Sequence, residues 1–273
     1  MEIVNIRQFN VVGDGIHDDT DAIQEAIIFC AKKKYLLQFD GAVYCCGTVR
    51  LLKNTTIDFN NTTIKCLAPH LFYNFLNDSD STSYRGNGNI SIKNLNVSGG
   101  TVACLMHGKN ISFDNINAKN TMTNHFFELS ACKNVEIKNS TFRGSLIDAT
   151  DPNQMEMIHL ALCQYEDSPW LDPHSKTYDG TMNQQILIKN CLFDRSTDPE
   201  FDAMYIAIGN HSASRHYHKK IMVLNCIMKQ ASVASIHARN WNVVKVVENQ
   251  FLNSKNEQFE NCKRVKRANN QVD

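Results

Sequence analysis

The chain has 273 residues, with 28 basic and 28 acidic side chains and a formal net charge of zero. That balance argues against a nucleic-acid binder, which would need a basic face, and no apolar run is long enough to cross a membrane. A hydrophobic content of 42% over this length can fill one continuous core, so a single domain spanning residues 1–273 is expected. Met1-Glu2-Ile3 does not open a signal peptide. The expected settings are therefore the cytosol, a virion, export by another route, or secretion after loss of a leader.

Residues 1–35 form the first unit. Phe9-Asn10-Val11-Val12 reads as a short strand and Gly13-Asp14-Gly15 as a tight turn. Asp18, Asp19 and Thr20 are each suited to cap the first N–H groups of a helix. Ala22, Ile23, Ala26, Ile27 and Cys30 then recur at helical spacing, and Lys32, Lys33 and Lys34 close the last turn. A dinucleotide loop is disfavoured, because the third glycine is missing and Asp18 and Asp19 would repel a phosphate. A calcium loop is disfavoured because no bidentate Glu follows at the required distance. The block from Phe9 to Ile27 resembles the N-terminal signature of the pectate-lyase-like superfamily, which includes polygalacturonases, polysaccharide lyases and phage tailspikes. The resemblance implies an all-β fold, a right-handed single-stranded parallel β-helix, with residues 1–35 as an N-terminal strand and capping helix.

Ten cysteines are present without a C-x-x-C pair, which argues against a zinc knot. Several occupy corresponding places in repeated strands, where small apolar residues stack, so buried free thiols are expected.

From residue 54 onward a phrase recurs. It reads Ile90-Ser-Ile-Lys-Asn94, Ile111-Ser-Phe-Asp-Asn115, Val135-Glu-Ile-Lys-Asn139, Ile186-Leu-Ile-Lys-Asn190 and Ile221-Met-Val-Leu-Asn225, with a weaker copy ending at Asn249. The alternation predicts strands, and each asparagine marks a bend that tolerates a left-handed backbone. Stacked turns would align the asparagines in a ladder. Their spacings are 21, 24, 51, 35 and 24 residues. A solenoid turn of about 22 residues accounts for the short intervals, and the long ones require insertions within turns.

Those insertions fall at residues 164–184 and 210–220, after strands beginning at Glu156 and Asp202. Aligned with the strand from His125, they yield two columns: His125, Glu156 and Asp202, then Glu128, His159 and Tyr205. Neighbouring turns lie about 4.8 Å apart, so each column would be a row of titratable groups. The competing reading is a solvated sheet face with scattered charges. The first insertion adds Trp170, Tyr178 and Asp179, with aromatic rings able to stack on sugars; the second adds His211 and Arg215. His237 and Arg239 could extend the row, in a register ambiguous by one or two residues. His216-x-His218 has the spacing of a metal pair but reads better as flexible surface histidines.

A narrower resemblance joins Glu156-Met-Ile-His-Leu-Ala161, Asp179-Gly-Thr181 and His211-Ser212 to a pattern of polysaccharide-degrading β-helix proteins. His159 stands where that pattern has glutamine and Ala161 where it has aspartate, so a catalytic aspartate there has been moved or lost. The resemblance implies a glycoside hydrolase acting on a polysaccharide in a groove. Glu156 and Asp202 would be the carboxylate pair, Asp179 the substitute, and His159 or His211 would tune their protonation. His125, Glu128, Trp170, Tyr178, Tyr205, Arg215, His237 and Arg239 would bind substrate. One alternative is a polysaccharide lyase, with His159, Tyr205 or His211 as base and Arg215, Arg239 or bound calcium supplying positive charge. Another is a non-catalytic, tailspike-like glycan binder. No cofactor is expected beyond calcium in the lyase case. The oligomeric state is open, with a trimer by analogy to tailspikes.

Overall fold

The computed structural model describes residues 1–75, 81–148 and 150–273. Strands enter in rotation into three parallel ladders. The first ladder runs from Ile3–Asn5 and Leu36–Gln38 through Lys133–Lys138, Gln184–Lys189, His218–Leu224 and Trp241–Val247 to Lys263–Ala268. The second runs from Asp14–Asp18 and Val43–Cys46 through Thr141–Ser145, Leu192–Asp194 and Ile227–Lys229 to Gln250–Leu252 and Gln271–Val272. Long strands such as Ile90–Ser98 and Lys109–Thr121 turn the corner between these two without a break. The third ladder takes Val49–Arg50, His70–Tyr73, Thr101–Met106, Phe127–Ser130, Glu156–His159, Ile206–Gly209, Ala234–Arg239 and Gln258–Glu260.

The recurring phrase supplies the first ladder in register. Ile92, Phe113, Ile137, Ile188, Val223 and Val246 stack as one row, each buried in the core. Phe142 and Phe193 stack at 5.3 Å in the second ladder, and Phe127 of the third meets Phe113 edge-on at 4.8 Å. Like residues stack because every turn repeats the same backbone, so interior volume is filled row by row.

Asn94, Asn115, Asn139, Asn190 and Asn225 occupy the corner after the first ladder with φ between 51° and 57°. Asn115 donates to Asn94, Asn190 to Asn139 and Asn225 to Asn190, each at 2.9 Å. The ladder is interrupted once, where Asn139 turns to Asp114 at 2.8 Å. The final copy is shifted: Glu248 takes the left-handed corner (φ 60°), while Asn249 is buried and accepts from Cys226 N. A second ladder, Asn54, Asn89, Asn110 and Asn134, lines the opposite end of the same strands.

The N-terminal block differs in detail from its sequence reading. Residues 6–9 form a 3-10 turn, and the strand is Asp14–Asp18, beginning inside the expected glycine turn. The helix spans Thr20–Lys33 and buries Ile23, Ala26, Ile27, Cys30 and Ala31 against the first turns. Asp18 accepts from Thr20 N, but the Asp19 carboxylate turns back to Val12 N and Gly13 N, so it pins the preceding loop instead of capping. All ten cysteines are free thiols, eight of them buried.

Candidate functional site: a carboxylate–imidazole cluster on the third ladder

Glu128 and His159 are register partners, and their column continues through Gly209 to His237. His125 and Glu156 stand three residues before Glu128 and His159. Between them Phe126-Phe127 and Met157-Ile158 all enter the core. Two consecutive inward residues break the alternation, and this places the polar pair of each turn on the same side. The site is thus a local exception to strand periodicity.

Two connections close over it. Residues 160–183 supply Asp167, whose carboxylate accepts from Leu162 N and from the Ser212 hydroxyl. Residues 210–217 supply His211. Its Nδ1 lies 3.1 Å from Glu156 Oε2 and its Nε2 lies 3.1 Å from Asp167 Oδ1. A carboxylate on each nitrogen requires a proton on each, so His211 is an imidazolium between two anions. Burial opposes that charge, but the bonds to Asp167 and Glu156 prevail and push its pKa up to about 10. Burial alone would raise Glu156; His159, His211 and His125 outweigh it and hold the carboxyl below its ordinary value. Asp167 is likewise held low, against burial, by His211, His159, Ser212 and Leu162 N.

The rings of His125, His159 and His211 form a cluster, with His159 4.6 Å from His125 and 4.4 Å from His211, and His125 and His211 6.4 Å apart. His159 is fully buried, 3.8 Å from Glu128 on one nitrogen and 3.8 Å from Asp167 on the other. Beside the cluster is a cavity of about 440 Å³, lined by His70, His125, Glu128, Asp167, Trp170 and His211 among others. Trp170 lies flat on Phe75 (5.2 Å, 13°), which stacks on Tyr73 at 4.8 Å, so the far wall is aromatic. Calcium, which takes six to eight oxygen ligands, does not suit a cluster this rich in imidazole.

The structure brings His125, Glu128, Glu156, His159, His211 and Trp170 together. Arg239 and His237 stand one turn away: both pair with Glu260, and Arg239 donates to the His211 carbonyl oxygen. Asp202 and Tyr205 do not join them. Ile206, not Asp202, is opposite Glu156, and Gly209, not Tyr205, is opposite His159. A 3-10 turn at Pro199–Phe201 and a bridge between Ser145 and Ala203 delay the strand by four residues. Asp202 ends that turn exposed, and the Tyr205 hydroxyl donates to Ile147 O at 2.6 Å.

Asp179 and Arg215 line a separate cavity of about 430 Å³ with Tyr84 and Lys219. Asp179 there accepts from Ser83 N and Thr181 N. The Tyr178 hydroxyl accepts from Leu171 N and donates to Ser168 O, so it holds its own loop in shape. His216 is exposed and His218 buried, so they form no metal pair. Sequence reasoning missed Asp167 and Gly209 and gave Ser212 no role beyond its motif. The only written trace of Asp167 is the acidic pair Glu166-Asp167 just after a strand.

No protein-family model matches the sequence. The chain is 24% identical over 284 aligned residues to Plasmin and fibronectin-binding protein A of Streptococcus pneumoniae, strain ATCC BAA-255 / R6. That match covers 91% of this chain but only 39% of the relative. The crystal structure of PfbA, a surface adhesin of Streptococcus pneumoniae, superposes with a TM-score of 0.79 at 21% identity. It covers 91% of this chain and 61% of that one. A family 28 exopolygalacturonase of Yersinia enterocolitica gives a TM-score of 0.51 at 11% identity, over 98% of this chain and 66% of that one. With three parallel ladders, a helix packed on the first turns and these likenesses, the chain has the pectate-lyase-like parallel β-helix fold.

Proposed function

We propose that the chain is a polysaccharide-directed glycoside hydrolase, with the cavity beside the histidine cluster receiving a sugar unit. The observation that carries this reading is His211, doubly hydrogen-bonded between Glu156 and Asp167 at the edge of a cavity whose opposite wall is Trp170. Cleavage of a glycosidic bond needs a proton for the leaving oxygen; both N–H groups of His211 are held by carboxylates, so it fixes the charge of the cluster, and the carboxyl groups placed to exchange a proton on the cavity side are Glu128 and Glu166. Glu156 and Asp167 are positioning residues in this scheme, since neither carboxylate is exposed. Glu128, from the third ladder, lines the cavity together with Glu166 and Asp167 from the connection above it. Asp202 has no part.

Charge favours hydrolysis over elimination. Glu128, Glu156 and Asp167 are gathered here, and among the described residues no Lys or Arg lines the cavity. A uronate would meet carboxylates, and the His211 imidazolium is already neutralised by two of them, so the free cation that elimination needs is not offered, whereas a neutral sugar meets no such penalty. The likeness to a surface adhesin favours a second reading, a glycan binder without turnover.

Incubation with neutral and acidic polysaccharides, following reducing ends together with unsaturated-uronate absorbance, tests both. Reducing ends alone, from a neutral glycan, are expected. Both signals rising would replace hydrolysis by elimination. Silence in both, with glycan binding retained, would establish the binder.

A further inference from the structure

We propose that His125, Glu128 and His159 bind one divalent transition-metal ion of the zinc class, at the end of the cluster away from His211. Donor atoms of these three residues all lie within 4.8 Å of one another. Two histidines and one glutamate are a donor set for zinc that leaves a coordination position open, here toward the cavity.

The hydrogen bonding distinguishes this triad from its neighbours. Glu156, His159 and His211 also lie close enough, but both nitrogens of His211 are already committed to carboxylates. His107, Cys163 and Asp179 form a third group, in which the ring nitrogens of His107 already face Ser83 O and Thr177 O. In the proposed triad the ligand atoms are uncommitted. His125 donates from Nδ1 to the Glu156 backbone carbonyl at 2.6 Å, which fixes the tautomer and leaves the Nε2 lone pair free. His159 has both ring nitrogens buried without a hydrogen-bond partner. An imidazole fully out of water with neither nitrogen satisfied is costly, unless something binds it. Among the described residues Glu128 has the weak donor Cys104 Sγ, at 3.8 Å, as its hydrogen-bond partner, with His159 Nδ1 also 3.8 Å away.

The surroundings match what orients metal ligands elsewhere. A backbone carbonyl on the remote nitrogen of one histidine and a carboxylate facing that of another are the usual outer partners. The Glu156 carbonyl plays the first part, and Asp167, 3.8 Å from His159 Nε2, the second. This inference does not depend on glycan cleavage.

The test is calorimetric titration of the chelator-stripped full chain with zinc chloride, and separately with calcium chloride. One zinc per chain and no calcium uptake are expected. Glu128→Gln and His125→Gln should each weaken zinc binding at least 100-fold, while Cys163→Ser and His211→Gln leave it within about threefold. Circular dichroism of each variant separates lost ligation from lost fold. Zinc uptake insensitive to both ligand variants, uptake abolished by Cys163→Ser, or no stoichiometric uptake would each overturn the proposal.

Discussion

Gly209 and Glu156 sit on neighbouring turns, and the absent side chain of the first makes room for the second. A Cβ on Gly209 would stand 3.2 Å from Glu156 Cγ and 2.5 Å from His237 O. Gly209→Ala should therefore displace the carboxylate that holds His211 and cost about 1–3 kcal/mol of stability through overpacking. Thermal unfolding and polysaccharide cleavage measured on the same preparation check this. Unchanged stability with full turnover would show that Glu156 is not confined as described.

Asp167 joins both connections over the site, through Leu162 N, Ser212 and His211. Asp167→Asn removes the charge without much change of shape. We expect a loss of about 2–3 kcal/mol, with faster proteolysis within residues 160–183 and 210–217. Mapping the first cleavage sites is the informative measurement, since a general loss of fold would open the chain elsewhere as well.

Trp170 and Trp241 are the two tryptophans of the chain. Trp241 is fully buried with its indole N–H on Asn210, so only Trp170 can meet a ligand in the cavity. A bound glycan should change tryptophan fluorescence, and Trp170→Ala should abolish that change and weaken affinity about tenfold, with the folded state retained. A signal that survives in Trp170→Ala would place the glycan elsewhere.

His218 is fully buried, accepts from Asn183 N at Nδ1, and is held neutral by burial, its pKa falling from 6.5 to about 3. The unfolded chain binds a proton at this residue below pH 6.5 that the folded chain refuses until about pH 3. Its contribution is therefore whole above pH 6.5 and declines as pH falls through that window, by at most about 1.4 kcal/mol per pH unit. His218→Gln should flatten the acid side of the stability profile. An identical slope in the two proteins would count against a neutral buried imidazole.

Asn190 donates to Asn139 and accepts from Asn225, with φ at 55°. Asn190→Gly loses the amides but accepts the backbone; Asn190→Ala loses the amides and strains it. We expect the alanine variant to be the less stable by about 1–2 kcal/mol, read from paired denaturant titrations. Equal stability would mean that the amides, not the corner, carry the energetic weight.

The fold was legible because a solenoid writes its period into the chain: Ile90, Ile111, Val135, Ile186 and Ile221 are neighbours in space for the same reason that they are neighbours in pattern. The pairing of Glu128 with His159 could be read the same way. Asp202 could not be placed correctly, because the alternation after it continues into Ile206–Gly209 while a 3-10 turn, invisible to a period-2 pattern, absorbs the first residues. Asp167 was hidden for a different reason. Its position depends on how an irregular connection folds back, and no periodicity runs through such a segment. The shift at Asn249 shows the same limit at one residue's scale: Glu248 adopts the corner geometry that an asparagine would be expected to claim.

The asparagine ladder has a consequence for how such a molecule can change. Asn139 and Asn190 are 51 residues apart in sequence yet joined by one amide hydrogen bond of 2.9 Å. The corner thus fixes the spacing between turns whatever the length of chain spent elsewhere. Residues 160–183 lie inside that interval, so their size is uncoupled from the alignment of the strands they connect. A scaffold of this kind can exchange its loops as cassettes, acquiring or losing specificity by insertion and deletion while the residues beneath keep their places.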